Sequence, residues 1–533
     1  MDAIRSFFLP KSFLITVLYI FSISTALTVH RTARTPSALA RIFQFQNFEP
    51  SHFRLKSTEE KERQVTVDAN PSPNNSGSFL GNFFKTEPTP GSKGTDNTPQ
   101  LATTTNWEPV NYSDLTIGVP RESQDGEKRV SQTPESVELL RKKGFRVVVE
   151  RDAGLLSQFP DSSYVAAGAE IAARRAVWKA DIVTKVQPPS LEEARLLENR
   201  TLISFIQPSP DSKLLLRLES QKATVFAMDC IPRLLSRGQA FDALTSQANV
   251  AGYRAVIEAA NEFGRLFGGQ ITAAGRINPA KILVLGAGVA GLSAIGTAKS
   301  MGALAYAYDV RGAVQEQVES LGGTFLRVEG AQEDGQGAGG YAREMSDRYK
   351  ALERESLARW VSEADVVITT ALLPGRPAPR LVTAPMLAAM KAGSVVLDMA
   401  ASPRGGNVEL SRPNEVVVTP QGVRIIGYTD LPSRAATTAS QLYGNNVARF
   451  LLSVGPTTSK AMAGRFFPDY KDPAVRAMIV LDRGGWRWPN PAPYSPPGAG
   501  DAENRPVGGL DRAQTTMATT INTIPNTIKD DKN

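Results

Sequence analysis

The chain has 533 residues, 41% hydrophobic and 21% charged, an ordinary globular balance that excludes collagen-like, coiled-coil and wholly disordered readings. A single cysteine, Cys230, excludes a disulfide framework and a cysteine-cluster metal site; both histidines, His30 and His52, precede residue 60, so the folded body is expected to work without histidine and without a metal. The net charge of +7 sits mostly at the front: residues up to Lys56 carry +5 and the remaining 477 carry +2, which gives a nucleic-acid partner little support.

Residues 12–28 are one apolar run of 17 preceded by Arg5 and Lys11, the pattern of a signal-peptide core or short signal anchor, and short for a membrane span. Arg31, Arg34 and Arg41 follow with no acid before Glu49, as in transit peptides. Residues 1–64 are therefore expected to be a signal plus transit-like leader. It would deliver the chain to an organelle through the secretory route, plastid-like, with a mitochondrial address as the alternative. Residues 65–113 (NPSPNNSGS, EPTPGSKGTDNTP) are too polar to bury a core and read as a disordered linker; residues 488–533 read as a disordered tail. The body between them holds no apolar run of 18 or more, so no membrane-spanning helix is expected in it.

Within the body, short β-branched runs alternate with helical patterns, which implies parallel sheets built from βαβ units. The first set is 115–119, 145–150, 181–186, 201–206 and 223–228, with a helix over 134–143 that Thr133 caps and Pro134 opens. The second set is 281–286, 303–309, 324–328, 365–370, 394–399 and 424–429. Residues 249–266 read as a long helix bridging the two sets, and 430–455 as a helical return to the first. The expected fold is α/β. It has two Rossmann-like, doubly wound parallel-sheet domains with a cleft between them: a discontinuous N-terminal domain (114–250 and 430–487) and a nucleotide-binding domain (251–429).

The strand KILVLG runs directly into Gly286, Gly288 and Gly291, and then into a helix. The first glycine permits the tight turn, the second lets the backbone approach a pyrophosphate, and the third lets helix and strand pack closely. Free N–H groups and the helix dipole then favour the phosphates. An acid, Asp309, ends the next strand, 18 residues past Gly291. A carboxylate there accepts from both hydroxyls of the adenosine ribose and repels a 2′-phosphate, so NAD is expected over NADP, with nearby Arg311 pointing the other way. Thr369, Thr370, Ala371 and Leu372 end the strand expected to lie near the nicotinamide end. The glycine-rich segment 328–345 reads as a loop that closes over the nucleotide, with Tyr341 as its aromatic contact.

The segments LTIGVPRESQDGEKRVSQTPESVELLRKKGF, LTSQANVAGYRAV, GQITAAGRINPAKILVLGAGVAGL, TTALLPGRPAP and GYTDLPSR resemble the NAD(H)-binding component of the proton-translocating NAD(P) transhydrogenases, over nearly all of 114–490. The resemblance implies direct hydride transfer between NAD(H) held here and NADP(H) held on a partner domain. It also implies coupling to proton translocation by a membrane domain, and a homodimeric NAD component lying peripheral to an inner membrane through its partner. It carries nicotinamide-end contacts onto Gln239 and Asp242, with Thr245 where the family has serine. One residue more than the family pattern separates Arg233 from Gln239, so the family's arginine falls on Arg233, which follows Pro232, or on Arg237. Tyr341 and Gly340 carry over from the closing loop, and Val289 and the Asp309, Val310, Arg311 edge carry over as cofactor contacts; Leu372 is expected as a cofactor contact from its place at the strand end alone. Family members with all domains on one chain continue into membrane helices. Here the stretch after Pro497 is polar, so those domains are expected on a separate polypeptide, or the sequence is truncated.

Alanine dehydrogenase shares the fold and the N-terminal motif. That enzyme needs a proton-transfer histidine after the fourth strand of the first set; the stretch here, Leu202 to Pro208, has none, although Arg129 and Lys185 stand where it holds its substrate. Transfer between two nicotinamide rings moves no proton at the reacting carbons. It needs two rings about 3–3.5 Å apart and water excluded. Oxidative deamination needs a general acid or base. The residues favour the first chemistry; an amino-acid oxidoreductase and an idle NAD-binding module are the alternatives.

Overall fold

The computed structural model describes residues 107–488 except 233–234, 331–334, 336–342, 344, 373–376 and 456–461. The leader, most of the linker and the tail lie outside the described residues, as do Arg233, Gly340 and Tyr341.

The first domain is built on β1 (Thr116–Val119), β2 (Arg146–Glu150), β3 (Glu170–Ala172), β4 (Ile182–Thr184), β5 (Thr201–Ser204) and β6 (Thr224–Ala227), with α1 (Pro134–Lys142) crossing between β1 and β2. These strands lie in the order β3-β2-β1-β4-β5-β6 and all pair in parallel. Four of them, β1 and β4 to β6, are buried on both faces almost throughout, as helix-covered parallel strands must be, so they read as continuous Val/Ile-rich runs. At the start of α1 the Thr133 N–H donates to Ser136 Oγ (2.9 Å) and Pro134 fills a position that needs no donor.

The long helix α2 (Ala243–Glu262) leads into the second domain. That domain holds β7 (Lys281–Leu285), α3 (Val289–Ser300), β8 (Leu304–Tyr308), β9 (Thr324–Phe325), α4 (Asp347–Glu363), β10 (Val366–Thr369), β11 (Val395–Asp398), β12 (Val416–Val418) and β13 (Arg424–Ile426). The order is β9-β8-β7-β10-β11-β13-β12, parallel throughout except for β12, which runs antiparallel to β13. The chain then returns through α5 (Ala436–Ser453) and α6 (Pro473–Met478) to β14 (Ile479–Asp482), which pairs antiparallel with β6, and β15 (Gly485–Trp486). Tyr443, Val447 and Phe450 of α5 join the apolar cluster of Ile117, Val147 and Phe226, so the first domain is discontinuous and the α/β, doubly wound class holds for both sheets.

Both sheets reverse their strand order between the first and fourth strand, at β1/β4 and at β7/β10. In open α/β sheets, ligands bind in the crevice at such a reversal, outside the carboxyl ends of the strands. Several features depart from the sequence pattern. The stretch 107–113, linker-like in composition, is folded: Tyr112 is buried and stacks on Phe145 at 4.2 Å, and Trp107 Nε1 donates to Asp482. The bridging helix starts at Ala243 rather than 249, because Asp242 caps it. Four strands of the two large sheets carry no readable signal (β3, β12, β14 and β15), nor do the exposed hairpin Gln270–Thr272 and Gly275–Ile277 and the antiparallel pair Val110–Asn111 and Arg465–Phe466. All of these are two to four residues long, too short to show periodicity.

Candidate nucleotide-binding site

The turn between β7 and α3 is held by contacts that leave no room for a side chain at Gly286 or Gly291. Gly286 has φ +103°, the region glycine alone enters at little cost. A Cβ at Gly291 would lie 1.9 Å from the Gly286 carbonyl oxygen. Thr370 Oγ1, at the end of β10, donates to that same oxygen at 2.9 Å and so ties the turn to the neighbouring strand. Gly288 is the N-cap of α3 and Val289 its first residue, which places the helix's unpaired N–H groups at the crevice. A second close approach comes from α2, where a Cβ at Gly252 would lie 2.0 Å from the Ala290 carbonyl oxygen. The Ser293 hydroxyl also donates to the Asn249 carbonyl at 2.7 Å.

Asp309, just past β8, meets this turn: the Ala287 N–H donates to its Oδ2 at 2.8 Å. The Arg311 guanidinium and N–H donate to the same carboxylate, and these bonds hold the guanidinium pKa above its ordinary value. The Val310 carbonyl accepts from the Gly335 N–H at 2.8 Å, which seats a portion of the glycine-rich loop against this edge. A Cβ at Gly335 would lie 2.7 Å from the Val310 side chain, so only glycine fits there. The structure therefore brings Gly286, Gly288, Val289, Gly291, Asp309, Val310 and Arg311 together at one end of β7 and β8. Leu372, beyond β10, is exposed.

Gln239, Asp242 and Thr245 form a second group, at the start of α2. Asp242 caps the helix: the Thr245 N–H donates to Oδ1 (2.9 Å) and the Thr245 hydroxyl to Oδ2 (2.6 Å). Gln239 is exposed in the 3₁₀ turn that precedes it. Arg237 is engaged elsewhere, pairing with buried Asp472 at the N-cap of α6 and lying over the Phe241 ring. Asp242 and Gly252 are ten residues apart on one helix, about 15 Å of rise.

The reversal point of the first sheet is filled by buried ion pairs. Lys185 Nζ contacts Glu122 (2.9 Å) and Glu193 (3.7 Å); Arg129 pairs with Glu127 (2.6 Å) and donates to Gln247 (2.8 Å). The charges of Arg129 and Lys185 are thus already matched by carboxylates of the same domain. Burial pushes the Glu127 carboxyl up, but the Arg129 hydrogen bond and charge, with help from Gln187, outweigh it and hold the pKa at about 2. Such a group adds stability above its unfolded value near 4.5 that disappears as pH falls toward 2. Glu127→Gln should therefore lower stability by about 3 kcal/mol at neutral pH, with the gap to wild type closing between pH 4.5 and 2. Urea unfolding at a series of pH values checks this, and a neutral-pH gap near zero would contradict it. At the end of β5, Gln207 occupies the left-handed region (φ +50°), and Asp229 accepts the N–H groups of Ile206 and Gln207. Burial, then Asp229, pushes the Cys230 thiol up to about 12, so it carries no thiolate at neutral pH.

One residue that the sequence did not single out is Asp398, at the end of β11. Its buried carboxylate accepts from the Ala400 N–H (2.9 Å), the Asn407 N–H (3.3 Å), the Val408 N–H (3.1 Å) and the Thr369 hydroxyl (3.2 Å). Asn407 in turn donates to the Ala371 carbonyl, so Asp398 shapes the loop beside the end of β10. An acid at a strand's carboxyl end was the available signal, the same one that exposed Asp309. Among the described residues no cluster of metal-binding side chains occurs, and no helix is long and apolar enough to cross a membrane.

Comparison with known proteins agrees along the folded body. Residues 118–251 match the alanine dehydrogenase/PNT N-terminal domain and residues 255–489 its C-terminal domain. NAD(P) transhydrogenase subunit alpha of Haemophilus influenzae is 47% identical over 371 residues, 69% of this chain and 71% of that one. NAD(P) transhydrogenase subunit alpha of Cereibacter sphaeroides is 48% identical over 379 residues, 70% of this chain and 71% of that one. The crystal structure of transhydrogenase from Sinorhizobium meliloti superposes with a TM-score of 0.63 at 39% identity, covering 70% of this chain and 99% of that one.

Proposed function

The chain belongs to the alanine dehydrogenase/PNT family, among the NAD(P) transhydrogenase alpha subunits, an oxidoreductase family; from that premise we propose that it is the NAD(H)-binding component of a transhydrogenase. In this reading it takes part in direct hydride transfer between NAD(H) and NADP(H), in either direction. NADP(H) is held by a partner domain, and the transfer is coupled to proton translocation by a separate membrane domain. The NAD component is a homodimer in an organelle, peripheral to an inner membrane through its partner.

The residues present fit NAD(H). The crowded glycine turn brings backbone N–H groups to where a pyrophosphate must sit, and Asp309 lies where an adenosine ribose would present its hydroxyls. When bound, NAD(H) supplies the carbon that gives or takes the hydride. The chain's role is to hold and orient. Gly286, Gly288, Val289 and Gly291 cradle phosphate, and Asp309 with the Val310 and Arg311 backbone sets the adenosine end. Gly340, Tyr341 and Leu372 complete the contacts, and Gln239, Asp242, Thr245 and Arg233 position the nicotinamide. Arg233 takes the arginine role because the Arg237 guanidinium is engaged with Asp472.

One observation carries the reading. Helix α2 starts at the Asp242 cap and approaches the start of α3 at the Gly252–Ala290 contact, so one helix runs between the two ends of the proposed site. No general acid or base is needed, in keeping with the absence of histidine from the body.

The test mixes the purified chain with an NADP(H)-binding transhydrogenase component and follows transfer from NADH to an NADP analogue. Gln239→Ala and Asp242→Ala should each slow transfer about tenfold or more, because small misplacement of a reacting ring is costly, while NADH affinity changes little. Full transfer rates in both variants would remove these residues from the site. Absence of transfer in the wild-type mixture, together with alanine-dependent NAD reduction, would replace the whole reading.

A further inference from the structure

The Asp309 carboxylate is already saturated. Oδ1 accepts from the Arg311 N–H and Nε, each at 2.9 Å; Oδ2 accepts from the Ala287 N–H at 2.8 Å and from Arg311 Nη2 at 2.7 Å. A carboxylate offers about four lone-pair positions, and all four are taken. Two of the donors are backbone groups of the turn and of the strand end, and they cannot leave without moving the chain. The other two belong to one side chain, Arg311 Nε and Nη2, set side by side in the planar guanidinium fork. The two hydroxyls of a ribose are likewise adjacent donors, and they need the same two positions.

We propose that Arg311 is an internal competitor for the ribose site: its guanidinium occupies Asp309 as a diol would, and a nucleotide binds only after that fork has swung away. This rests on the assignment of Asp309 to the adenosine ribose and adds to it a specificity-determining residue. The pair is partly shielded, with side-chain exposures of 17% for Arg311 and 6% for Asp309, so the closed state is held more firmly than a surface pair. Apparent affinity equals intrinsic affinity reduced by the open fraction, so a closed pair weakens NAD(H) by slowing its association. The displaced guanidinium stays within two residues of the carboxylate, beside the ribose 2′ position, where it favours a 2′-phosphate. One side chain thereby loosens NAD(H) and softens discrimination against NADP(H).

The experiment is calorimetric titration of the full chain and of Arg311→Ala and Arg311→Met with NADH, NADPH, ADP-ribose and reduced nicotinamide mononucleotide. Stopped-flow mixing with NADH gives the association rate. Both variants should bind NADH and ADP-ribose about tenfold more tightly, the size of one lost charge-assisted contact. They should take up NADH faster and show a wider NADH/NADPH preference. Binding of the mononucleotide, which does not reach Asp309, should not change. Equal or weaker NADH binding in both variants would overturn the competition. Asp309→Asn, measured alongside, separates the two claims. If it weakens NADH binding while the Arg311 variants do not strengthen it, the ribose assignment stands and the competitor role falls. If it leaves NADH binding untouched, both fall.

Discussion

Gly291→Ala is expected to abolish NADH binding and to lower stability by about 3 kcal/mol, the upper range for overpacking a close contact. The added carbon would sit 1.9 Å from the Gly286 carbonyl oxygen, well inside contact distance, and its neighbour is backbone rather than a side chain that turns aside. Relief requires that α3 move off β7 or that the turn open. Either shift breaks the Thr370 bond to the same oxygen and tilts the N–H groups of the helix start. A binding defect without loss of stability would mean that the turn yields and only its aim is spoiled. Unchanged binding by calorimetry would show that the turn is not a phosphate cradle. Gly288→Ala is the useful contrast: nothing lies within 4 Å of a Cβ there, so the fold should tolerate the change, and any loss of affinity reports on the nucleotide alone.

Asp398→Ala should be comparably severe through a different mechanism. Removal of the carboxylate strands the N–H groups of Ala400, Asn407 and Val408 in a buried setting, at about 1 kcal/mol or more for each unmet donor. A total of about 3–4 kcal/mol follows. Asp398→Asn should fall between, since its amide keeps one acceptor oxygen but turns an NH₂ toward groups that also donate. Chemical denaturation measures both. A loss below about 1 kcal/mol in Asp398→Ala would mean that water or a shifted loop supplies the missing acceptors.

How far the sequence exposes such residues depends on how local their requirements are. Gly286, Gly288, Gly291 and Asp309 were legible because a turn between a strand and a helix imposes fixed spacing over a few residues. The central strands of both sheets were legible because burial on two faces demands unbroken β-branched runs. The Lys185–Glu122 pair was not, since its partners are 63 residues apart and meet only when β1 and β4 become neighbours. Asp398 was hidden for a similar reason: its partners at 400, 407 and 408 converge through a loop with no periodicity. Tyr112 was lost in linker-like composition; the stacking contact with Phe145 and the pairing of 110–111 with 465–466 that draw it into the core involve residues far along the chain. The start of α2 was within reach, since Asp242 followed by Thr245 is a capping pattern, but its first turns are too polar to show a helical stripe.

Helix α2 is fastened at both ends. Its first two turns are bolted to the N-terminal domain by Ala243 in that core, by the Ser246 bond to Asn446 and by the Gln247 bonds to Arg129 and Ala439. Its later turns sink Ala251, Ala255, Val256 and Ala259 into the other core. The spacing between the Asp242 cap and the Gly252 contact at the phosphate turn is thereby set by the rise of one helix that both cores share.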